Sequence, residues 1–305
     1  MKRWFDAAQA GSFEVLKRVL ETKVDIEVKD DEDCTALMLS VSEGHTSCAK
    51  LLVNAEADLE AKNTDDATAL ILAAANGDTD CLALLVDAGA NIHAANDEGW
   101  TALHAAIHDN HTACVQLLME LNADIEAKTS KGLSPLIFAA GKGHIECMRL
   151  LLAARADLEA QDYDNSTALL YAAQHGSTEC VQLLIDAKAD VTVADNDGYT
   201  ALIWAAGDGY TACAQLLLVA KAGINAQMND GWTALMFAAD DNHVECVELL
   251  VVAKADLEVR TEDGRTALML ASRYGHLGCM ELLLRQALQN DTAEYHVLGK
   301  EAFAS

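Results

Sequence analysis

Apolar and polar positions follow one arrangement again and again along the chain, and residues 195–227 display it. Asp197-Gly198 marks a turn. Thr200 is a good helix N-cap, and Ala201-Leu202-Ile203-Trp204-Ala205-Ala206 behind it reads as a short apolar helix. Gly209 ends that helix. A second helix runs from Thr211 to about Ala220, with Cys213, Leu216, Leu217 and Leu218 on a broad apolar face. Gly223-Ile224-Asn225-Ala226 is predicted to be an extended lead into the next turn.

The arrangement returns every 33 residues. Thr-Ala-Leu recurs at Thr35, Thr68, Thr101, Thr167, Thr200, Thr233 and Thr266. The missing member is Ser134-Pro135-Leu136, which holds the one proline and suits a first helical turn. The slot ending the first helix is always Gly or Asn: Gly11, Gly44, Gly77, Asn110, Gly143, Gly176, Gly209, Asn242 and Gly275. The turn slot holds Asp33, Asp66, Gly99, Gly132, Asn165, Gly198, Gly231 and Gly264. All of these tolerate a left-handed backbone. Two short helices cannot bury both their faces, so neighbours must stack into a solenoid. One array replaces the two domains that 305 residues would otherwise suggest.

The repeated unit, clearest in Asn96–Lys128 and Thr129–Gln161, resembles the ankyrin repeat over nearly the whole chain. The resemblance implies an all-α solenoid with β-hairpin fingers, each repeat being two antiparallel helices with a finger at roughly a right angle. It places an N-terminal capping repeat at 1–29 and seven repeats at 30–62, 63–95, 96–128, 129–161, 162–194, 195–227 and 228–260. A C-terminal repeat or cap follows at 261–293, with Leu288-Gln289-Asn290-Asp291 in place of Ala-Asp-Leu-Glu, then an unassigned tail at 294–305. There are departures. The family's Thr-Pro-Leu-His keeps Pro once and His once, at His104. Its Gly after the second helix survives only at Gly89, whereas Lys23, Arg155, Lys188, Lys221 and Lys254 fill that slot elsewhere. If left-handed, each of those costs about 1 kcal/mol, partly offset by a cation near a helix C-terminus. The family's usual Ile is replaced by Cys.

Composition sharpens this picture. A hydrophobic content of 51% is too high for a disordered acidic chain. The net charge of −27, from 21 Lys+Arg against 48 Asp+Glu, argues against a nucleic-acid or anionic-membrane partner. No apolar run reaches the ~20 residues of a membrane helix. Met1-Lys2-Arg3 begins like a signal peptide, but Asp6, Gln9 and Glu14 interrupt its apolar region, so secretion is not expected.

Eight of the nine cysteines lie 33 apart, at Cys48, Cys81, Cys114, Cys147, Cys180, Cys213, Cys246 and Cys279. Stacked helices lie about 8–10 Å apart, whereas a disulfide needs Cα atoms within about 7 Å, so a column of buried thiols is predicted. Free thiols in that number suit a reducing compartment, cytoplasm or nucleus. Cys34, outside the series beside the first turn, is the candidate for an exposed, reactive thiol. His45, His111, His144, His243 and His276 share one repeat slot, a structural role. His104, His108 and His111, with Asp109 beside them, offer a spacing two metal ligands can use, against which stands His104 as a remnant of the family motif. Phosphate-loop, nucleophile-elbow, zinc-protease and dinucleotide-binding motifs are absent. Neither catalysis, nor a cofactor, nor a metal is expected.

Phe138, Tyr171, Trp204 and Phe237 form a column on the first helices, where helical spacing predicts core. The resemblance implies that partners bind a concave face made of turn tips and first helices. On that face stand Trp100, Leu133, Tyr199 and Trp232, each just before the N-cap, with Tyr163 at a neighbouring tip. Trp and Tyr there suit an interface. The tip and helix-end slots carry fifteen carboxylates against three bases, among them Asp97, Glu98, Asp109, Asp197, Asp208, Asp230 and Asp241. The expectation is a monomeric, non-catalytic scaffold or adaptor for a basic, partly apolar protein or peptide. The alternative is a regulatory subunit that occludes a partner enzyme's site.

Overall fold

A computed structural model of the chain describes residues 2–22 and 24–302, with side chains described for 3–22 and 24–290. Those residues form eighteen helices. Each predicted helix pair is present, as in Ala201–Gly207 with Thr211–Val219 and Ala102–His108 with Thr112–Glu120. Thr200 caps its helix by accepting the Ile203 N–H, and Ser134 does the same for Ile137 ahead of Pro135–Lys142. The helices stop where the backbone turns left-handed. Positive φ occurs at every predicted Gly or Asn terminator and at every turn slot, including Asp33, Asp66 and Asn165.

The slot after the second helix is left-handed as well. Arg155, Lys188, Lys221 and Lys254 have φ between 64° and 77°, and Glu56 and Asn122 join them at 64° and 61°. Lys23 lies outside the described residues.

The chain divides into two compact units, residues 1–157 and 158–305. Within each, first helices pack on first helices and second helices on second helices of adjacent repeats. Paired alanines such as Ala73-Ala74, Ala105-Ala106, Ala205-Ala206 and Ala238-Ala239 are buried at these contacts. Such small side chains let successive helices approach closely without leaving voids. The first pair, Lys2–Gln9 and Phe13–Glu21, buries Trp4 and Leu16.

Two expectations change. No strand forms among the described residues, so the β-hairpin fingers are not seen; two isolated bridges, Ala95 with Thr101 and Ala194 with Thr200, mark their place. The reason is length. Asn96 N–H donates to the Trp100 carbonyl and Gly99 N–H to Asn96, which closes the loop, and Thr101 already caps the next helix. No residues remain for a second rung. The stretch Gly223–Ala226 is likewise a tight turn, closed by Ala226 N–H on the Gly223 carbonyl at 3.0 Å, and not an extended segment. The last helix, Leu277–Ala302, runs on through positions at which the other repeats turn.

Candidate interaction surface

The carboxylates separate into two populations. The first serves the fold. Asp58, Asp124 and Asp190, and the amide of Asn91 in the same slot, each accept an N–H two residues ahead, closing the loop after the second helix. Glu27, Glu60, Glu126 and Glu159 each accept the N–H of a residue 31 further on, at 2.7–2.9 Å, and so tie four of these loops to the ones that follow. Burial pushes the Glu126 carboxyl up. The Thr192 hydroxyl and N–H pull Asp190 down.

The second population sits at the turn tips. Consecutive tips are joined through backbone: the carbonyls of Glu32, Glu98, Asp164, Asp197 and Asp230 accept N–H groups of Thr64, Ser130, Asn196, Asn229 and Glu262. The turns are closed by a different side chain, the first residue of each loop. Asp30, Asn63, Asp162 and Asp195 each accept the N–H groups two and four residues ahead. Tip carboxylates are therefore mostly left to solvent. Asp97, Glu98, Asp197 and Asp230 at the tips, and Asp109, Asp208 and Asp241 at the C-terminal ends of first helices, are all exposed. Asp230 alone among them also takes a turn N–H, from Trp232 at 3.3 Å. Burial is the main cause raising the Asp208 carboxyl, with Asp241 adding to it.

In the 1–157 unit, Trp100 is half-buried. Its ring meets Phe138 edge-on at 5.1 Å and His108 at 5.1 Å. His108 Nδ1 donates to Asp109 at 2.9 Å. Leu133 is half-buried, and its carbonyl accepts from His104 Nε2 at 3.3 Å. His104 Nδ1 accepts the Thr101 N–H at 3.3 Å. With both nitrogens occupied and no exposed surface, His104 bridges two repeats and has no lone pair to give a metal. Burial pushes it down to about 4.

In the 158–305 unit, Tyr163 is 69% exposed at its tip. Tyr199 stacks on Trp204 at 4.1 Å and tilts against Phe237 at 5.7 Å, and Trp232 meets Phe237 at 4.7 Å. These four rings make a half-buried strip beside Asp197, Asp208 and Asp230. The predicted core column thus splits. Phe138 is buried, with the Trp100, His104 and His108 rings packed against it, but Tyr171, Trp204 and Phe237 are half-exposed. The sequence pattern also missed Asp162, a buried carboxylate that takes the Tyr171 hydroxyl at 2.8 Å. Their separation of nine residues, loop to helix, gives no periodic signal.

The cysteines are all buried and unpaired. Several meet a polar group of the repeat before: Cys213 Sγ lies 3.4 Å from Thr178 Oγ1 and Cys246 Sγ 3.3 Å from Thr211 Oγ1. Burial raises every thiol, Cys81 to about 12 and Cys114 and Cys180 to about 11. Cys34 is no exception. It is 8% exposed, and burial followed by the Asp30 charge pushes it up, so the reactive thiol is withdrawn. Slot histidines fasten repeats: His45, His144 and His276 Nε2 reach the carbonyls of Gln9, His108 and Asp240.

A family model described as ankyrin repeats (3 copies) matches residues 4–96, 75–162, 155–228 and 208–293. The chain belongs to the ankyrin-repeat family. Ankyrin repeats generally mediate protein–protein interactions and are typically non-catalytic modules. No curated protein matches this ankyrin chain. Among its described residues, no helix is long and apolar enough to cross a membrane.

Proposed function

We propose that this ankyrin chain is a monomeric, non-catalytic scaffold or adaptor that takes a basic, partly apolar protein or peptide on its turn-and-first-helix face. The repeats bounded at 30, 63, 96, 129, 162, 195, 228 and 261 each offer that face one tip and one helix. The observation that carries the reading is the division of the carboxylates. The fold uses the loop acids as acceptors and leaves the tip acids beside half-buried aromatic rings. Unneutralised charge beside apolar surface favours a cation with an apolar stem. Nine unpaired thiols fit the cytoplasm or nucleus.

The test is calorimetric binding of a Lys/Arg-rich peptide containing Leu and Phe, at low and high salt. Affinity falls with salt, as for exposed complementary charges. Trp100→Ala and Trp232→Ala each weaken it. No binding at low salt, or binding indifferent to both substitutions, overturns the proposal.

A further inference from the structure

An open cleft of about 310 Å³ lies within the 158–305 unit, with Tyr171 on its wall and the stacked pair Tyr199 and Trp204 also lining it. Asp164, Asp195 and Asp197 line it too. Comparing two adjacent repeats reveals what the cleft lacks. Asp162 and Asp195 occupy one slot, 33 residues apart, and Tyr171 and Trp204 another. The Asp162 carboxylate is fully employed. Its Oδ1 accepts the N–H groups of Asp164 and Ser166, and its Oδ2 takes the Tyr171 hydroxyl. Asp195 Oδ1 likewise accepts from Asp197 and Tyr199, at 3.0 and 2.8 Å. Its Oδ2 receives no hydroxyl, because the residue in the tyrosine slot is Trp204. Burial, with the Asp197 charge adding to it, holds this carboxyl above its ordinary value although the N–H groups of Tyr199, Asp197 and Gly198 pull it down.

The group that completes such a cleft must bring N–H donors for Asp195 Oδ2 and a flat face for the ring pair. It must also be cationic, given three carboxylates in the lining. A guanidinium has all three properties. An ammonium has the charge but not the plane, and is more strongly hydrated. We propose that this cleft receives one arginine side chain of the partner, its guanidinium against the Tyr199–Trp204 pair and bonded to Asp195. The inference rests on the basic-partner reading above and specifies which cation that partner presents.

The probes are hexa-arginine, hexa-lysine and hexa-citrulline peptides, titrated by calorimetry against the full chain. Asp195→Asn is the decisive variant. Asparagine already closes the same turn elsewhere, since Asn63 Oδ1 accepts from Asp65 and Ala67 and Asn96 Oδ1 from Trp100. The turn survives and only the charge is lost. Trp204→Leu places in this slot the residue found at Leu39, Leu72 and Leu270. The expected result is tighter binding of hexa-arginine than of hexa-lysine, with no binding of the neutral citrulline peptide. Asp195→Asn lowers hexa-arginine affinity about tenfold and removes the arginine preference at unchanged Tm, and Trp204→Leu also removes the preference. Equal affinity of wild type for the two basic peptides, or a preference that survives Asp195→Asn, overturns the arginine cleft alone. Failure of both basic peptides to bind overturns the basic-partner reading with it.

Discussion

The His104 ring joins two repeats: Nε2 donates to the Leu133 carbonyl at 3.3 Å while Nδ1 accepts the Thr101 N–H at the same distance. This arrangement fixes the neutral tautomer with the proton on Nε2. Burial, the largest influence, pushes the ring down to about 4, although the Leu133 carbonyl and Asp124 pull the other way. As pH falls from the ordinary histidine value of about 6.5 towards 4, the unfolded chain takes a proton that the folded chain refuses. Stability present at neutral pH is therefore lost across that window. His104→Ile puts in this slot the residue found at Ile71, Ile137 and Ile203. Wild type should lose up to about 3 kcal/mol relative to the variant between pH 7 and pH 4. Urea unfolding of both proteins across that range checks it, and parallel curves would refute it.

Lys188 and Lys221 sit at φ 77° and 69°, where Gly89 in the equivalent slot has φ 97°. Replacing both by glycine removes left-handed strain of about 1 kcal/mol at each site, against a smaller loss from the freer unfolded chain and the missing cations. Thermal unfolding should show the double variant melting higher than wild type. An unchanged or lower Tm counts against strain as the dominant effect.

The two carboxylate populations should respond differently to substitution. Glu60 accepts the Asn91 N–H at 2.7 Å, so Glu60→Ala should cost about 0.5–1 kcal/mol in denaturant titrations. Asp97 is exposed, and the Trp100 N–H is taken by Asn96. Asp97→Asn should leave stability within about 0.5 kcal/mol and weaken basic-peptide binding. Loss of stability at Asp97 equal to that at Glu60 would dissolve the distinction.

Thiol titration offers a fourth check. All nine cysteines are buried, and burial leads the causes that raise each thiol. At pH 8 the native chain should react slowly with a disulfide-exchange reagent, and all nine should react at once in denaturant. Prompt labelling of Cys34 in the native state would contradict its burial.

Much of the fold is written in single positions. Gly209 and Gly198 announce left-handed turns, and Thr200 announces a cap, because each depends on the backbone of its own neighbourhood. The missing fingers were not legible. Asp-x-x-Gly reads as a hairpin turn, and only the immediate start of the next helix at Thr101 leaves it without arms. The candidate face was legible in part. Trp100, Tyr199 and Trp232 occupy a recognisable slot, yet their packing on Phe138, Trp204 and Phe237 depends on rings from other segments and other repeats.

The sequence by itself determined the 33-residue period, the helix pairs, their left-handed ends and the buried cysteine column, since a copied local pattern needs no partner to be read. Tertiary structure alone decided which carboxylates the fold consumes. Glu60 and Asp97 are both acidic loop residues in sequence, but only one lies within hydrogen-bonding reach of an N–H 31 residues away. It also decided that Tyr171 donates its hydroxyl to Asp162, whereas Trp204 in the same slot brings Asp195 none. Hydrogen bonds are made across space, and a repeat that copies its backbone faithfully still changes its surface wherever one side chain gains or loses a donor.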